Sequence, residues 1–345
     1  MTSDRLNWLR FAVVILGVVL AIGCDSGRDS AASEGYRRLE GYAMGTTWSV
    51  QFRANGQESE ELHREINELL ARVESDLSTW RDDSKISRFN ATESTDWFPV
   101  SSEFVEIIVA ARIVNRLSEG AFDPSVYPLV QLWGFGPGER PEDEPTEKQV
   151  EDCLATVGFH QLEARETDPA LRKNHPHLEI DLSALAKGFA VDQVSELLET
   201  LNLTDHLVEF GGELYGMGLS SKGRPWRVGI ELPLVGESEI GERVELSGRA
   251  LATSGDYRNF LEIDGERFSH VIDPRTGRPL PQRGLAVSVM ADSCMDADAW
   301  ATALTLLGVD AGLPLAEKIG IAAHFTRIVD GNMTGASTSH WKGVN

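Results

Sequence analysis

The stretch 181–192 constrains this chain most, because its pattern predicts a strand that turns sharply into a helix. Before the turn, Leu178 and Ile180 alternate with polar residues, which predicts a half-buried strand. After the turn, apolar residues recur at roughly helical spacing. Asp181 and Ser183 are candidate caps for the first turn of this helix.

A helix start of this kind can bind an anion. Its first backbone N–H groups have no partner within the helix, and its dipole places partial positive charge there. Both features suit a phosphate, and Lys187, one turn into the helix, would add a positive charge. The same pattern also fits an ordinary capped helix with a surface lysine, so the stretch alone leaves both interpretations open.

A second group of polar residues opens a late predicted helix, Ala297–Leu307. Asp298 and Thr302 are four residues apart and therefore project from the same helical face. A carboxylate and a hydroxyl on one face can ligate Mg²⁺, which prefers hard oxygen ligands and keeps room for water or phosphate. Asp296 is a candidate cap or outer ligand. The alternative is that these acids only complement the helix dipole.

The amino terminus has the pattern of a bacterial lipoprotein signal. Arg5 and Arg10 precede an apolar run of 12 residues, 11–22, which is short for a membrane span. Cys24 follows directly, so we predict a signal peptide over 1–23 and lipidation of Cys24. Residues 24–35 then form a flexible tether and 36–345 the folded domain. We expect a protein anchored by lipid to the bacterial inner membrane and facing the periplasm.

Composition limits the partners of this chain. The net charge of -22 argues against a nucleic-acid groove and makes any anionic cofactor dependent on local cations or a metal. Cys153 and Cys294 remain after the signal, in a compartment that permits disulfides, but the sequence does not show whether they pair.

Predicted strands outnumber predicted helices and seldom alternate with them one for one. We therefore expect an α+β fold with largely antiparallel sheets and flanking helices. The predicted strands include Glu245–Ala252, ending at the segment 253–257, and Ala322–Ile328.

Several separate motifs occur along the chain. They are Met44-Gly-Thr, Ser78-Thr-Trp80, Gly120-Ala-Phe-Asp123, Asp181–Gly188 with Asp192, Gly211-Gly212, Ala252–Asp256, Ser269–Gly277 and Asp298–Thr302. In this order they resemble the motifs of the ApbE family of FAD:protein FMN transferases, and the likeness covers roughly residues 40–340. Ordered independent blocks are far more specific than one glycine motif.

The resemblance implies a two-subdomain fold with FAD bound between the subdomains, and it implies Mg²⁺. By the family pattern, the flavin nucleotide contacts Met44, Trp80, Ala121, Phe122, Asp123, Asp181, Lys187 and Ile272. The metal ligands would be the backbone carbonyl of Ala184 and the side chains of Asp298 and Thr302. Trp80 stands where an aromatic residue is usual, consistent with stacking on the flavin nucleotide.

The implied reaction is attack on the FMN-side phosphorus of FAD, which expels AMP. The attacking hydroxyl would be a Thr or Ser of an acceptor flavoprotein in an extracytoplasmic redox complex, within a Thr/Ser-Gly-Ala-Thr/Ser motif. His270 is a candidate base because a neutral histidine is common at periplasmic pH. An aspartate near the metal, Asp298, is the competing base. The alternative for His270 is a strand residue bonded to the Asp273 loop.

Two other functions use the same residues. With water as the acceptor, the chain would be an FAD pyrophosphatase, and without turnover it would be a flavin-binding lipoprotein. The segment 330–337 itself resembles an acceptor motif, so Thr334 is a candidate site of self-modification. Short motifs often match by chance, and the alternative is a last strand and turn with no such role.

Overall fold

The computed structural model describes residues 35–56, 59–138, 140–233, 239–256, 260–263, 266–281, 284–329 and 332–344. The expected signal peptide, Cys24 and all of the tether before residue 35 lie outside these ranges, and their assignment stays a prediction.

Seven α-helices and sixteen strands lie in the described ranges. The helices are α1 (Ser59–Leu77), α2 (Lys85–Ala91), α3 (Ser102–Leu117), α4 (Tyr127–Leu132), α5 (Glu147–Leu154), α6 (Ser183–Thr200) and α7 (Cys294–Ile319). The strands are β1 (Tyr36–Ala43), β2 (Thr46–Arg53), β3 (Phe98–Pro99), β4 (Leu162–Arg165), β5 (Ala170–Lys173), β6 (His206–Phe210), β7 (Glu213–Met217), β8 (Trp226–Glu231), β9 (Ile240–Leu246), β10 (Arg249–Gly255), β11 (Phe260–Ile263), β12 (Glu266–Asp273), β13 (Arg278–Pro281), β14 (Leu285–Ala291), β15 (Ala322–Val329) and β16 (Asn332–Ser337).

One eight-stranded sheet organises the molecule, in the order β1-β2-β6-β7-β10-β14-β15-β16. Each neighbouring pair in this sheet is antiparallel. The expected α+β class with antiparallel sheets is therefore confirmed.

Both faces of this sheet are covered. Helices α1, α6 and α7 pack on one face, where Val287 and Val289 of β14 join the largest hydrophobic cluster. The β8–β9 hairpin and Trp341 cover the other face, where Met290 of the same strand joins a second cluster. Because side chains alternate between the faces of a strand, β14 supplies both cores and is apolar almost throughout.

A smaller unit stands beside α7. It consists of the sheet β11-β12-β13 with α4 and α5. Val271 of β12 packs with Ala121 and with Leu306 of α7, whereas Ile272 packs with Trp133 after α4. Strand β12 thus joins the small unit to the long helix of the main unit, which fits the two-part architecture expected from the sequence.

Two strand predictions were wrong. Residues 178–180 do not form a strand: Leu178 and Ile180 are fully buried, but the side chain of Asn90 bonds both the N–H and the C=O of Ile180, in place of a neighbouring strand. The predicted strand Glu245–Ala252 is two strands, because Gly248 takes a positive φ of 68° in the turn between β9 and β10. The predicted loop after it, at 253–255, belongs to β10.

Helix α7 is longer than the predicted Ala297–Leu307. It begins at Cys294, with Ser293 as its cap, and continues past a break at Gly308 to Ile319. Among the described helices it is the one long and apolar enough to cross a membrane, but 56% of its most apolar window is buried inside the fold. Its apolar character is therefore explained by its place in the core.

Candidate active site

The starts of α6 and α7 meet at Gly188. A Cβ atom at this position would lie 2.3 Å from the backbone oxygen of Cys294 and 2.7 Å from the Cα of Met295, so only glycine allows this approach. Asp192, one turn further along α6, accepts hydrogen bonds from the backbone N–H groups of Cys294 and Met295, at 2.7 and 2.9 Å. These contacts fix the first turn of α7 against α6.

The same approach brings together the two sequence motifs that carry charge. Lys187 Nζ lies 3.3 Å from Asp298 Oδ2 and 2.8 Å from Glu213 Oε1. Asp298 Oδ2 also accepts a hydrogen bond from the backbone N–H of Gly188, at 3.2 Å. Both carboxylates are buried, with 4% of each residue exposed, and the lysine side chain is 32% exposed. The sequence had predicted Lys187 and Asp298 as site residues but had not included Glu213.

The cluster carries an excess of buried negative charge. Burial alone would lower the pKa of Lys187, but Asp298 and Glu213 raise it above its ordinary value. Burial raises the pKa of Glu213 to about 7, and the pKa of Asp298 is raised for the same reason, although Lys187 opposes both shifts. Two carboxylates therefore share one ammonium, and a further positive charge would relieve their desolvation.

A magnesium ion fits this arrangement. Glu213 Oε2 is buried and has no hydrogen-bond partner within the described ranges. Asp298 and Thr302 both lie on α7, four residues apart, and Ala184 lies in the first turn of α6. A carboxylate, a hydroxyl and a carbonyl are the hard donors that Mg²⁺ takes. No group of three or more His, Cys, Asp or Glu that could hold a metal ion lies in the described part of the chain.

The start of α6 adjoins two tight turns. The carboxylate of Asp181 accepts a hydrogen bond from the backbone N–H of Ser183 at 2.8 Å, so Asp181 bonds the first turn of the helix. Ser183 is not a cap, because it is the first helical residue and its side chain is exposed. Gly211, between β6 and β7, has a φ of 61°, and a Cβ there would lie 3.4 Å from Lys187 Cδ and 2.9 Å from Thr46 Cγ2.

The β1–β2 turn therefore lies close to Lys187 through Gly211. Met44 in this turn has a φ of 48°, which is uncommon for a residue with a side chain. Its side chain is half-buried against the main core. The turn can thus present backbone and the Met44 side chain beside the lysine, as the family pattern implies.

The segment 121–123 is tied to the same helix start. The backbone N–H of Asp181 donates to the carbonyl of Pro124 at 2.8 Å. The Asp123 carboxylate accepts from the backbone N–H groups of Ser125 and Phe159, and burial raises its pKa. Asp123 is therefore a structural acceptor of its own loop in this structure, and its contact with a flavin nucleotide stays a prediction.

Three of the expected flavin contacts are core side chains. Ala121, Phe122 and Ile272 are at most 5% exposed. They could contact a ligand mainly through backbone atoms, so the residue types at these positions are explained by packing. Trp80 is the opposite case, with 67% of its surface exposed beyond the end of α1. An indole exposed to this extent is available for stacking.

His270 lies on β12, and its side chain is half-buried. The Asp273 loop that follows is held by its own residues, because the Asp273 carboxylate binds the guanidinium of Arg275 through two hydrogen bonds of 2.8 and 2.7 Å. The role of His270 as a base stays a prediction.

Thr334 and the two cysteines have ordinary environments. Thr334 lies on the edge strand β16, exposed, and its hydroxyl is 3.4 Å from the carbonyl oxygen of Arg327 on β15. Residues 330 and 331 of the acceptor-like segment lie outside the described ranges. Cys153 and Cys294 are both free thiols, so the structure shows no disulfide between them.

Comparison with known proteins agrees with the motifs. The model of the ApbE family matches residues 44–325. The chain belongs to the ApbE family. A curated relative from Vibrio cholerae, an FAD:protein FMN transferase, is 40% identical over 313 residues, 90% of each chain. A second, from Haemophilus influenzae and of the same name, is 39% identical over 311 residues, 88% of this chain and 90% of its own.

Solved structures of ApbE proteins share this fold. The flavin transferase ApbE from Vibrio cholerae superimposes with a TM-score of 0.82 at 39% identity, covering 89% of this chain and 98% of its own. The apo form of the Pseudomonas stutzeri flavinyl transferase ApbE gives a TM-score of 0.80 at 37% identity, covering 88% and 95%. The fold expected from the resemblance is therefore confirmed.

Proposed function

We propose that this chain is an FAD:protein FMN transferase that requires Mg²⁺. The observation that carries the proposal is the buried cluster of Lys187, Glu213 and Asp298 at the start of α6, in a member of a family whose curated relatives bear that name. The cluster combines a helix start that suits phosphate with carboxylates that favour a cation. A pyrophosphate substrate with its metal needs both.

The reaction transfers a phosphoryl-linked flavin. A Thr or Ser hydroxyl oxygen of the acceptor protein forms a bond to the FMN-side phosphorus of FAD. The anhydride bond of the pyrophosphate breaks, and AMP leaves with the bridging oxygen. The hydroxyl proton passes to a base, for which His270 and Asp298 are the candidates.

The residues of this chain have distinct parts in that reaction. Lys187 and the first turn of α6 bind the pyrophosphate, and Trp80 stacks on a ring of the FAD. Asp298, Thr302 and the carbonyl of Ala184 would hold Mg²⁺, and the ion would supply positive charge to the phosphates of FAD when bound. Met44 and Asp123 would line the nucleotide from the β1–β2 turn and the loop before α4.

The cellular setting is part of the same proposal. Lipidated Cys24 would anchor the domain to the inner membrane through the 25–35 tether, facing the periplasm. The acceptors would then be flavoproteins of extracytoplasmic redox complexes with a Thr/Ser-Gly-Ala-Thr/Ser motif. Labelling of wild type and Cys24→Ala with a radioactive fatty acid, followed by membrane fractionation, tests the anchor. Equal labelling of both proteins would contradict it.

The deciding experiment measures AMP released from FAD by residues 25–345 with Mg²⁺, with and without a peptide containing Thr-Gly-Ala-Thr. We expect AMP to depend on the peptide and the peptide to gain the mass of FMN. AMP and free FMN without an acceptor would indicate an FAD pyrophosphatase. Tight FAD binding without AMP in either sample would indicate a flavin-binding lipoprotein and would overturn the proposed enzyme.

The same assay addresses Thr334. Intact mass of the enzyme after incubation with FAD and Mg²⁺ would show an FMN adduct if the chain modifies itself. An adduct absent from wild type, or equal in Thr334→Ala, would end that hypothesis.

A further inference from the structure

Glu213 is a buried carboxylate that no motif had indicated. It is the first residue of β7, directly after the Gly211–Gly212 turn, and it is paired in register with Phe210 of β6. Only 4% of the residue is exposed, so its side chain is almost fully shielded from solvent. One of its oxygens, Oε1, bonds Lys187 Nζ at 2.8 Å, while Oε2 has no hydrogen-bond partner in the ranges described.

Lys187 has two anionic neighbours at different distances. The nearer is Glu213, on the sheet, and the farther is Asp298, on α7, at 3.3 and 3.4 Å. Asp298 also accepts from the backbone N–H of Gly188. A cation bound by Asp298 would compete for the oxygens that face Lys187 and would repel its ammonium. Glu213 is then the contact that keeps this ammonium in place.

We propose that Glu213 is a positioning residue, which anchors the ammonium of Lys187 to the sheet while Asp298 is engaged by a metal. This inference rests on the proposed function. The carboxylate makes no substrate contact in this role and acts through Lys187. A rigid anchor matters because the lysine otherwise has four rotatable bonds and 32% of its side chain exposed.

Charge supports the same role. Two carboxylates, one ammonium and a divalent cation sum to one positive charge, and the phosphates of FAD are negative. Replacing Glu213 by a neutral residue would leave the ammonium and the metal with one carboxylate between them. The lysine would then move away from the metal, out of the position in which it binds the pyrophosphate.

The test compares Glu213→Gln with wild type in the residues 25–345 protein, after FMN transfer by wild type has been measured. Glutamine keeps the size and one oxygen but removes the charge. We expect kcat for peptide-dependent AMP release to fall about tenfold to hundredfold, the range for residues that orient a metal site. Calorimetric titration with FAD, without metal, should give a Kd within about threefold of wild type, because Asp298 still holds the ammonium of Lys187 when no metal competes for its oxygens.

A double-mutant cycle separates positioning from a general structural effect. In a Lys187→Met background, Glu213→Gln should change kcat by less than about threefold, because its partner is absent. Glu213→Asp keeps the charge on a shorter side chain and should recover part of the lost kcat. If Glu213→Gln fails to fold, the comparison is made with Glu213→Asp instead. Glu209→Gln is the matched control, since Glu209 is a buried carboxylate on the adjoining strand whose oxygens bond Ser49 and Gly212.

The outcomes are distinguishable. Wild-type transfer with an unchanged kcat in Glu213→Gln would overturn the inference alone. An equal loss of kcat with and without Lys187 would also overturn it, because Glu213 would then act independently of the lysine. An equal loss of kcat in Glu209→Gln would overturn it too, because the effect would then come only from stability. Absence of FMN transfer by wild type would overturn the proposed function and the inference together.

Discussion

Single side chains explain why the site favours a cation. Asp298 and Glu213 are buried within reach of one lysine, and both carboxylates lose solvation that Lys187 only partly replaces. An isolated ion pair would be satisfied without further ligands. Because of the second carboxylate, the cluster of two carboxylates and one ammonium has a net charge of one negative unit. This net charge favours the binding of a cation such as Mg²⁺.

Asp298→Ala should abolish metal-dependent turnover while the protein still folds. Removing this carboxylate leaves Lys187 and Glu213 as a balanced pair, and it removes the expected metal ligand. We expect the rate of AMP release at saturating Mg²⁺ to fall by about a thousandfold, because a metal supplies several kcal/mol to such reactions. Unchanged FAD consumption by this variant would refute the metal assignment, and a thermal melt checks the fold.

Trp80→Ala should weaken FAD binding without lowering stability. The indole is 67% exposed, so the fold gains little from it. Stacking of a base on an aromatic side chain contributes about 1–3 kcal/mol, which corresponds to a rise in Kd of about tenfold to hundredfold. Fluorescence titration with FAD measures the change. Trp80→Phe should retain most of the affinity, and equal affinities in all three proteins would exclude stacking.

At the scale of elements, the site depends on how closely α6 and α7 approach. The glycine at position 188 and the cap supplied by Asp192 determine this distance. The approach places Asp298 beside Gly188 in the second turn of α6, although Gly188 and Asp298 are 110 positions apart in the chain. A functional site here is therefore a property of helix packing.

Gly188→Ala should disturb the helix pair and the site together. A methyl group would lie 2.3 Å from the carbonyl oxygen of Cys294, so α7 must shift. We expect the free energy of unfolding to fall by about 1–3 kcal/mol, as for other overpacked sites, and Mg²⁺-dependent AMP release to fall with it. Urea denaturation measures the first effect. Glu196→Ala, an exposed change on the same helix, should stay within about 0.5 kcal/mol of wild type.

The Asp192 cap should make stability depend on pH. Burial raises the pKa of Asp192 to about 6, above its value in the unfolded chain. The folded state then binds the proton of Asp192 more tightly than the unfolded chain does. The contribution of this bound proton to the free energy of unfolding is full below about pH 4 and is lost as pH rises through 6. The stability of wild type relative to Asp192→Asn should therefore decrease by about 2 kcal/mol from pH 4 to pH 7, allowing for partial exposure. A difference that increases with pH would contradict this assignment.

At the scale of the molecule, the site lies where turns and helix starts meet. The turns β1–β2 and β6–β7 and the starts of α6 and α7 converge around Lys187. The sheet is covered on both faces, and at these converging ends backbone N–H groups and side chains can meet a ligand.

The net charge of -22 should slow the approach of FAD. Enzyme and substrate are both negative, so their long-range repulsion should decrease as salt shortens the screening length from about 30 Å at 0.01 M to about 8 Å at 0.15 M. We expect the association rate of FAD to rise a few-fold over this range, measured by stopped-flow quenching of flavin fluorescence. A rate that falls with salt would show that the local field of Lys187 dominates the approach.

The sequence by itself determined the class of fold, the family and the two charged motifs. Helix α3 shows which signals are local, because the cap residue Ser101 and the periodic apolar face both lie within its own segment. The family blocks identified Lys187 and Asp298 because those motifs are local and contiguous. The sequence failed where a tertiary partner replaced the local one, as at Ile180, whose backbone bonds Asn90 instead of a strand.

Only the tertiary structure revealed Glu213 as part of the site. A glutamate at the start of a strand has no local pattern that separates it from a surface acid. Its burial, its contact with Lys187 and its oxygen without a hydrogen-bond partner in the described part of the chain arise only when β7, α6 and α7 pack together. Local spacing determines which side chains share one helix or strand, whereas the charge balance of a site depends on elements distant in the chain, and that balance was decided by packing.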